Sequence, residues 1–165
     1  MKKIFTLLFP FLMCCFLIQG CGESDCSLST VSYARFDFLD SKTHKAVKLT
    51  NGVMVSGTTT IENSLVTDTD TLFNRAESYM SVPLSYTNQT TYVMHYSETL
   101  RDTIWLTHKN IPFVGDIECG AMMFYQVESF DYTNHVLDSV TLVNPEINNE
   151  EKKNFNIYYR TVDSE

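Results

Sequence analysis

The sequence predicts an all-β protein, an antiparallel β-sandwich of about eight strands, with an immunoglobulin-like arrangement favoured over a barrel. From residue 30 onward, apolar residues recur at every second position rather than every 3.6. Short runs of β-branched and aromatic residues are separated by turn residues such as Asn51-Gly52 and Asn144-Pro145. No helical pattern of about ten residues separates these runs, so short antiparallel connections are favoured over a parallel sheet.

Each predicted strand follows from its local pattern. Residues 30–39 alternate apolar and polar side chains around Phe36 and Phe38, and residues 53–60 follow the Asn-Gly turn with valines and threonines. The stretch 62–77 is the least regular, and one helical turn near Phe73 is an alternative there. The remaining predicted strands are 81–86, 90–97, 103–109, 121–132, 136–143 and 155–161.

Composition and charge exclude several classes of protein. A chain of 165 residues is long enough for one domain, and 44% hydrophobic residues with 13% aromatics suffice for a packed core. Twelve Lys and Arg residues against twenty Asp and Glu give a net charge of −8. Because the cations are scattered, we expect no nucleic-acid partner. No cofactor fingerprint is present in the sequence, so we expect no cofactor.

The first twenty residues differ from the rest. Lys2 and Lys3 precede an apolar run over residues 4–18, which is short for a membrane-spanning helix of about 20 residues but suits a signal peptide. The run ends in Ile18-Gln19-Gly20-Cys21, which resembles the lipobox of bacterial lipoproteins, whose cysteine is acylated. We therefore predict a signal peptide (1–20), a lipidated tether beginning at Cys21 (21–29) and a sandwich domain (30–165). An ordinary secretory signal and an N-terminal membrane helix are the alternatives.

The predicted mature chain holds ten cations and twenty anions, a net charge of −10. Acyl chains rather than side-chain charges must then hold it at a bilayer. We expect an outer-membrane lipoprotein of the cell envelope, with the periplasmic or the surface face left open. Its partners would be the membrane, through the lipid, and an unidentified protein or glycan.

Two cysteines remain once the leader and the lipidated residue are set aside. Cys26 and Cys119 are a candidate disulfide in an exported chain, and two free thiols are the alternative. Such a bridge stabilises by about 4–5 kcal/mol in the chain-entropy model.

Three segments of the C-terminal half carry a family resemblance: the strand pattern over 102–112, the run over 138–145 and the aromatic strand over 155–159. Together with the leader they look like an uncharacterised family of Bacteroidales lipoproteins, one domain long and without assigned activity. The resemblance implies a compartment and a taxonomic setting. It implies no catalytic residue.

Candidate catalytic and metal-binding residues do not form a recognisable motif. The four histidines, His44, His95, His108 and His135, lack metal-ligand spacing, so packed, hydrogen-bonded imidazoles are favoured over a zinc site or a general base. We expect no metal site.

Hydrolase motifs fail in the same way. Ser56-Gly57 lacks the first glycine of a nucleophile elbow, and Asp116 with Glu118 fits a solvated loop better than a glycosidase pair. The calcium-like start Asp68-Thr69-Asp70 fails because Phe73 stands where the loop needs glycine. The sequence therefore favours a non-catalytic binding or envelope-assembly module over a small hydrolase.

Two aromatic residues are candidate binding residues. Trp105 shares its strand face with Thr103 and Thr107, and Tyr158 shares one with Asn156. Exposed rings in such positions stack on sugars or bind a protein partner. Core packing is the favoured interpretation of Trp105, and an exposed carbohydrate-binding platform is the alternative.

Three tripeptides fit the pattern Asp, then Ser or Thr, then an aliphatic residue. This pattern resembles the O-glycosylation sequon of exported Bacteroidales proteins. The acceptor hydroxyls would be those of Thr71, Thr103 and Ser139. Each tripeptide also suits the start of a strand.

Overall fold

The computed structural model describes residues 31–49, 53–61, 64–66, 71–114 and 120–160. Eleven strands lie within these residues. They are β1 (Tyr33–Asp40), β2 (Val53–Ile61), β3 (Ser64–Val66), β4 (Thr71–Arg75), β5 (Tyr79–Pro83), β6 (Gln89–His95), β7 (Arg101–Val114), β8 (Ala121–Tyr132), β9 (Leu137–Leu142), β10 (Glu146–Ile147) and β11 (Lys153–Tyr159).

The strands form two sheets. The small sheet has the order β5-β1-β11-β9, and the large sheet has the order β10-β8-β7-β6-β2-β3, with β4 beside β2. Pairing is antiparallel except between β1 and β11, which run parallel. The predicted all-β sandwich is confirmed, with more strands than the eight expected. The stretch 62–77 contributes β3 and β4, so the alternative of a helical turn near Phe73 is wrong.

The alternation seen in the sequence places the core between the sheets. Buried and more exposed side chains alternate along β1, β6 and the first half of β7. The rings of Phe36 and Phe155 stack at 4.6 Å within the small sheet, and Tyr92 of the large sheet meets Phe36 edge-on at 5.7 Å. These aromatic contacts join the two sheets into one apolar cluster.

Strand β7 is longer than the sequence predicted. It pairs with β6 from Arg101 to Thr107, and beyond that point it continues paired with β8 alone, while β10 joins the other edge of β8 at Tyr125 and Gln126. We call residues 109–114 and 121–126 the β7–β8 ribbon. Pro112 fits here because β7 has no second neighbour along the ribbon, so its missing N–H removes no ladder hydrogen bond.

A buried carboxylate fixes the β8–β9 connection, one of those that lead from the large sheet to the small one. Asp102, at the start of β7, is fully buried. Its Oδ1 accepts hydrogen bonds from the Thr133 hydroxyl (2.8 Å) and from the backbone N–H (2.7 Å) and ring Nδ1 (3.1 Å) of His135. Its Oδ2 accepts from the backbone N–H groups of Val136 (2.9 Å) and Leu137 (3.1 Å).

The hydrogen bonds to Asp102 keep its carboxyl group ionised. Burial by itself raises the pKa of the Asp102 carboxyl, but three backbone N–H groups and the Thr133 hydroxyl outweigh that effect. The pKa therefore lies below its usual value, and the ionised form bonds to the turn. A buried charge is tolerated when it is hydrogen-bonded in this way.

We predict that Asp102→Ala lowers the free energy of unfolding by about 3 kcal/mol, because it leaves several buried donors without an acceptor. Urea unfolding monitored by circular dichroism measures the change. The matched control is Asp138→Ala, which removes an exposed carboxylate that contacts Arg160 at 3.1 Å. Its loss should cost less than about 1 kcal/mol. Equal losses in the two variants would contradict the assigned role of Asp102.

The same bond set predicts a pH dependence. Because folding lowers the pKa of Asp102, its contribution is present above the unfolded pKa of about 3.9 and is lost as the pH falls through the folded value. The stability difference between the wild type and Asp102→Ala should therefore shrink as the pH falls below about 4. A constant difference down to pH 2 would argue against it.

Candidate functional site: the Trp105 face of the large sheet

The outer face of the large sheet carries an exposed tryptophan. Alternation along β7 directs Ile104 and Leu106 into the core and Trp105 to the opposite face, where its exposed fraction is 42%. The interpretation of Trp105 as a core residue is therefore wrong. Since no other part of the described chain is layered on this face, its residues meet solvent.

Register places particular side chains beside the ring. Thr91 on β6 and Asp131 on β8 are the direct cross-strand neighbours of Trp105. Thr103 and Thr107 lie on the same face along β7. This set, Thr91, Thr103, Trp105, Thr107 and Asp131, is called the Trp105 face. It combines a flat aromatic surface with hydroxyls and one carboxylate, and these groups can bind a ligand that has both apolar and hydroxyl surfaces.

Tyr158 does not belong to this site. It lies half-buried on β11 of the small sheet, so the two predicted binding aromatics occupy the outer faces of opposite sheets. Its ring centroid is 5.3 Å from that of His44, and its hydroxyl is 3.5 Å from the Asn156 Nδ2. Tyr158 and Trp105 therefore cannot act on one small ligand together.

His108 is a core residue. Its Nε2 is 2.8 Å from the Thr90 hydroxyl and its Nδ1 is 2.8 Å from the Asn110 Oδ1. The edge of Tyr125 meets its ring at 5.1 Å. Burial lowers the pKa of His108, so the imidazole is neutral and occupied by these contacts.

His95 pairs with Ser56, the serine that lacks the sequence of a nucleophile elbow. The Ser56 Oγ on β2 lies 3.0 Å from the His95 Nε2 on β6, the distance of a nucleophile and its base. Among the residues that the structure describes, no carboxylate bonds to His95 to orient it. Both strands lie inside the sheet, where the backbone N–H groups that an oxyanion would need serve the ladders.

Metal ligands do not converge within the described part of the chain: no group of three His, Cys, Asp or Glu side chains is close enough to hold an ion. Asp116, Glu118, Cys21, Cys26 and Cys119 lie outside the described residues. Within the described residues, no helix has the length and apolar character needed to cross a membrane.

An open cleft of about 470 Å³ lies between the edge strands β4 and β5. Its lining is mostly polar and includes Arg75, Glu77 and Tyr79. The guanidinium of Arg35 lies 4.3 Å from the centre of the Tyr79 ring. Thr71, one of the three candidate glycosylation residues, also lines this cleft.

The three tripeptides differ in accessibility. Thr71 is exposed and Ser139 is half-buried beside the exposed Asp138. Thr103 follows Asp102, whose carboxylate is buried and fully occupied. A glycosylating enzyme that must contact the aspartate would reach Asp102 only if the segment 133–137 that bonds to it were unfolded.

Fold and surface together define a two-sheet β-sandwich whose large sheet exposes an aromatic and polar outer face. Residues 53–159 match the model of a family of unknown function, DUF6452, and the chain belongs to that family. No curated protein and no solved structure matches the chain. The matched range begins at β2 and therefore leaves out β1. In the structure, however, β1 is an inner strand of the small sheet, between β5 and β11.

Sequence reasoning missed the residues that surround Trp105. Thr91 and Asp131 are 14 and 26 positions away, and only the strand register makes them neighbours. The alternation of β7 was the available signal: it already placed Trp105 on the side of two threonines, opposite Ile104 and Leu106.

We predict that Ser56 does not react with a fluorophosphonate probe, because its pair with His95 lacks an orienting acid and an oxyanion site. Intact mass after incubation, beside an authentic serine hydrolase, measures the reaction. Labelling of Ser56 that disappears in His95→Ala would instead support a hydrolase.

Proposed function

We propose that this protein is a lipid-anchored, non-catalytic binding module of the bacterial cell envelope, from the Bacteroidales setting that the sequence resemblance implies. The leader and the Cys21 lipobox support the anchor and the outer membrane as its location. The observation that carries the binding role is the exposure of Trp105 at the centre of a regular sheet face. Large exposed aromatic side chains are enriched where proteins bind partners.

The arrangement of the candidate groups supports a non-catalytic role. His108 is committed to core hydrogen bonds, and the Ser56–His95 pair lies on the outer side of β2 and β6. Hydrolysis needs a nucleophile, a base and charge stabilisation within reach of one another. Among the described residues, only the first two of these meet.

A carbohydrate ligand is the second candidate, favoured by the row Thr91–Trp105–Asp131. The C–H faces of a sugar ring stack on an indole. The neighbouring Thr91 hydroxyl can donate a hydrogen bond to a sugar hydroxyl or accept one from it. The Asp131 carboxylate can only accept one. The cross-strand separation of about 5 Å puts both polar groups within reach of a single sugar ring.

Backbone geometry near Ser32 supports the Cys26–Cys119 bridge. The Ser32 hydroxyl donates to the Met123 carbonyl at 2.8 Å. Cys26 is six residues before Ser32, and Cys119 is four before Met123. Because each residue spans at most about 3.5 Å, both cysteines can reach a common position close to this bond.

Modification of the three tripeptides is proposed at Thr71 and Ser139 rather than at Thr103. The first two have an accessible acceptor or an accessible neighbouring aspartate. For Thr103, glycosylation would have to precede folding, because folding buries Asp102.

We predict that wild-type protein expressed in a Bacteroidales host incorporates a clickable palmitate and that Cys21→Ala does not. The variant should be released from membranes or persist as a precursor, since the acyl chains attach at that position. Gel fluorescence and membrane fractionation measure this, with Cys26→Ala as the control that keeps its lipid. Unlabelled wild type would exclude the anchor.

We predict that the Cys26–Cys119 bridge appears as one linked peptide pair in non-reducing mass spectrometry of the exported protein. Alkylation of both thiols before reduction would contradict it.

We predict that a ligand on the Trp105 face protects its fluorescence from iodide. Trp105 is the sole tryptophan, so the emission reports this face alone. Cello-, xylo-, manno- and chito-oligosaccharides are the probes. For a sugar that protects, Trp105→Ala should weaken binding measured by calorimetry about thirtyfold, or roughly 2 kcal/mol.

Asp131→Ala should weaken the same binding, and Leu100→Ala, an exposed apolar residue of the β6–β7 turn, should not. If no sugar changes the iodide quenching of Trp105, the hypothesis of a carbohydrate ligand is wrong. Photocrosslinking from position 105 in the native host then tests for a protein partner, with position 100 as the control. If both positions give the same crosslinked products, the Trp105 face is not the binding surface.

A further inference from the structure

The exposed apolar side chains of the described residues are concentrated at one end of the sandwich. This end, called the ribbon end, holds the β7–β8 ribbon, the β5–β6 turn, the start of β1 and the β9–β10 connection. The turn and the ribbon are joined by the Asn110 side-chain amide, which donates to the Tyr86 carbonyl at 2.6 Å. Seven of the eleven exposed large hydrophobic residues lie there: Val31, Tyr33, Tyr86, Ile111, Phe113, Val114 and Val143.

Stacked aromatic rings form the centre of this surface. The rings of Phe113 and Phe124 lie 4.7 Å apart at an interplanar angle of 18°. They stand on the part of the ribbon that extends beyond β6, where Phe113 is 42% exposed and Phe124 is half-buried. Val114, the last described residue of β7, is 73% exposed. Apolar surface concentrated in this way marks a contact with a partner or a membrane.

The N-terminal chain enters the domain at this same end. Ser32 is buried and its hydroxyl bonds to Met123 of the ribbon. Cys21 precedes Ser32 by eleven residues, which span at most about 40 Å. A lipid on Cys21 would therefore be tethered to the domain at the ribbon end, and not at the opposite end with the β6–β7 turn.

We propose that the ribbon end rests in the interfacial layer of the membrane that holds the lipid, with Phe113 and Phe124 at headgroup depth. The inference rests on the proposed lipid anchor and adds the orientation of the domain. Aromatic rings favour this layer, and the shallow apolar surface adds a contact with the bilayer to the one made by the acyl chains.

Charge selects the kind of lipid surface. Charges of the described residues at this end cancel, with Glu146, Glu150 and Glu151 against Lys109, Lys152 and Lys153, whereas the predicted mature chain as a whole carries a net charge of −10. That overall negative charge opposes anionic headgroups. The surface therefore fits zwitterionic phospholipid, and anionic lipid should weaken the contact.

The test uses the full acylated chain in phosphatidylcholine vesicles with brominated acyl chains, in a Trp105→Phe background. Phe113→Trp reports the ribbon end, and Leu100→Trp is the matched control, because the two positions are 42% and 43% exposed at opposite ends. We expect Phe113→Trp to shift to the blue and to lose most of its emission to bromine, and Leu100→Trp to change little. Replacing part of the lipid by phosphatidylglycerol should reduce the quenching.

Flotation separates the two ideas. If the protein floats with the vesicles and Phe113→Trp is quenched no more than Leu100→Trp, the orientation is wrong while the anchor stands. If the protein does not float, both fail. A blue shift at Phe113→Trp without bromine quenching, rising with protein density, would show that a second copy covers the ribbon and would also overturn the proposal.

Discussion

The β8–β9 connection, one of those that join the two sheets, depends on one carboxylate. Asp102 lies on a strand of the large sheet. Its carboxylate oxygens accept hydrogen bonds from backbone N–H groups of the segment that connects β8 to β9 of the small sheet. Side-chain acceptors commonly satisfy such turn donors. Here the acceptor comes from a strand more than thirty residues earlier, so the turn cannot form its bonds until β7 is in place. A buried polar contact therefore helps to set the placement of the two sheets relative to each other.

The core itself follows from simple alternation. Once β7 is fixed, every second residue faces the small sheet, and Trp105 must face outward with its threonine neighbours. The tryptophan is thus exposed because Ile104 and Leu106 take the inner positions. The same pleat places the Ser56–His95 pair on the outer face of the large sheet, opposite the apolar cluster.

The fold class was predictable because period-two alternation and turn residues are local signals. The boundaries of β8 were predicted correctly for that reason. The extent of β7 was not predicted correctly, because a proline such as Pro112 is normally excluded from the interior of a sheet. It is tolerated here because β6 does not pair with β7 beyond Thr107. The surroundings of Trp105 and the role of Asp102 were also out of reach, since both depend on partners brought together by register. In the sequence, Asp102 was read as the first residue of a modification pattern, and burial gives it a different role.

The parallel pairing of β1 with β11 has a mechanical consequence. The chain enters β1 at one end of the sandwich and leaves β11 at the other, and the two strands are adjacent from Arg35–Lys153 to Asp40–Tyr159. A force that pulls the chain ends apart therefore loads this ladder lengthwise, and all its hydrogen bonds must yield together rather than one after another. A domain held at its N-terminal side and pulled at its C-terminal side would resist extension in shear, with the strength of the whole ladder.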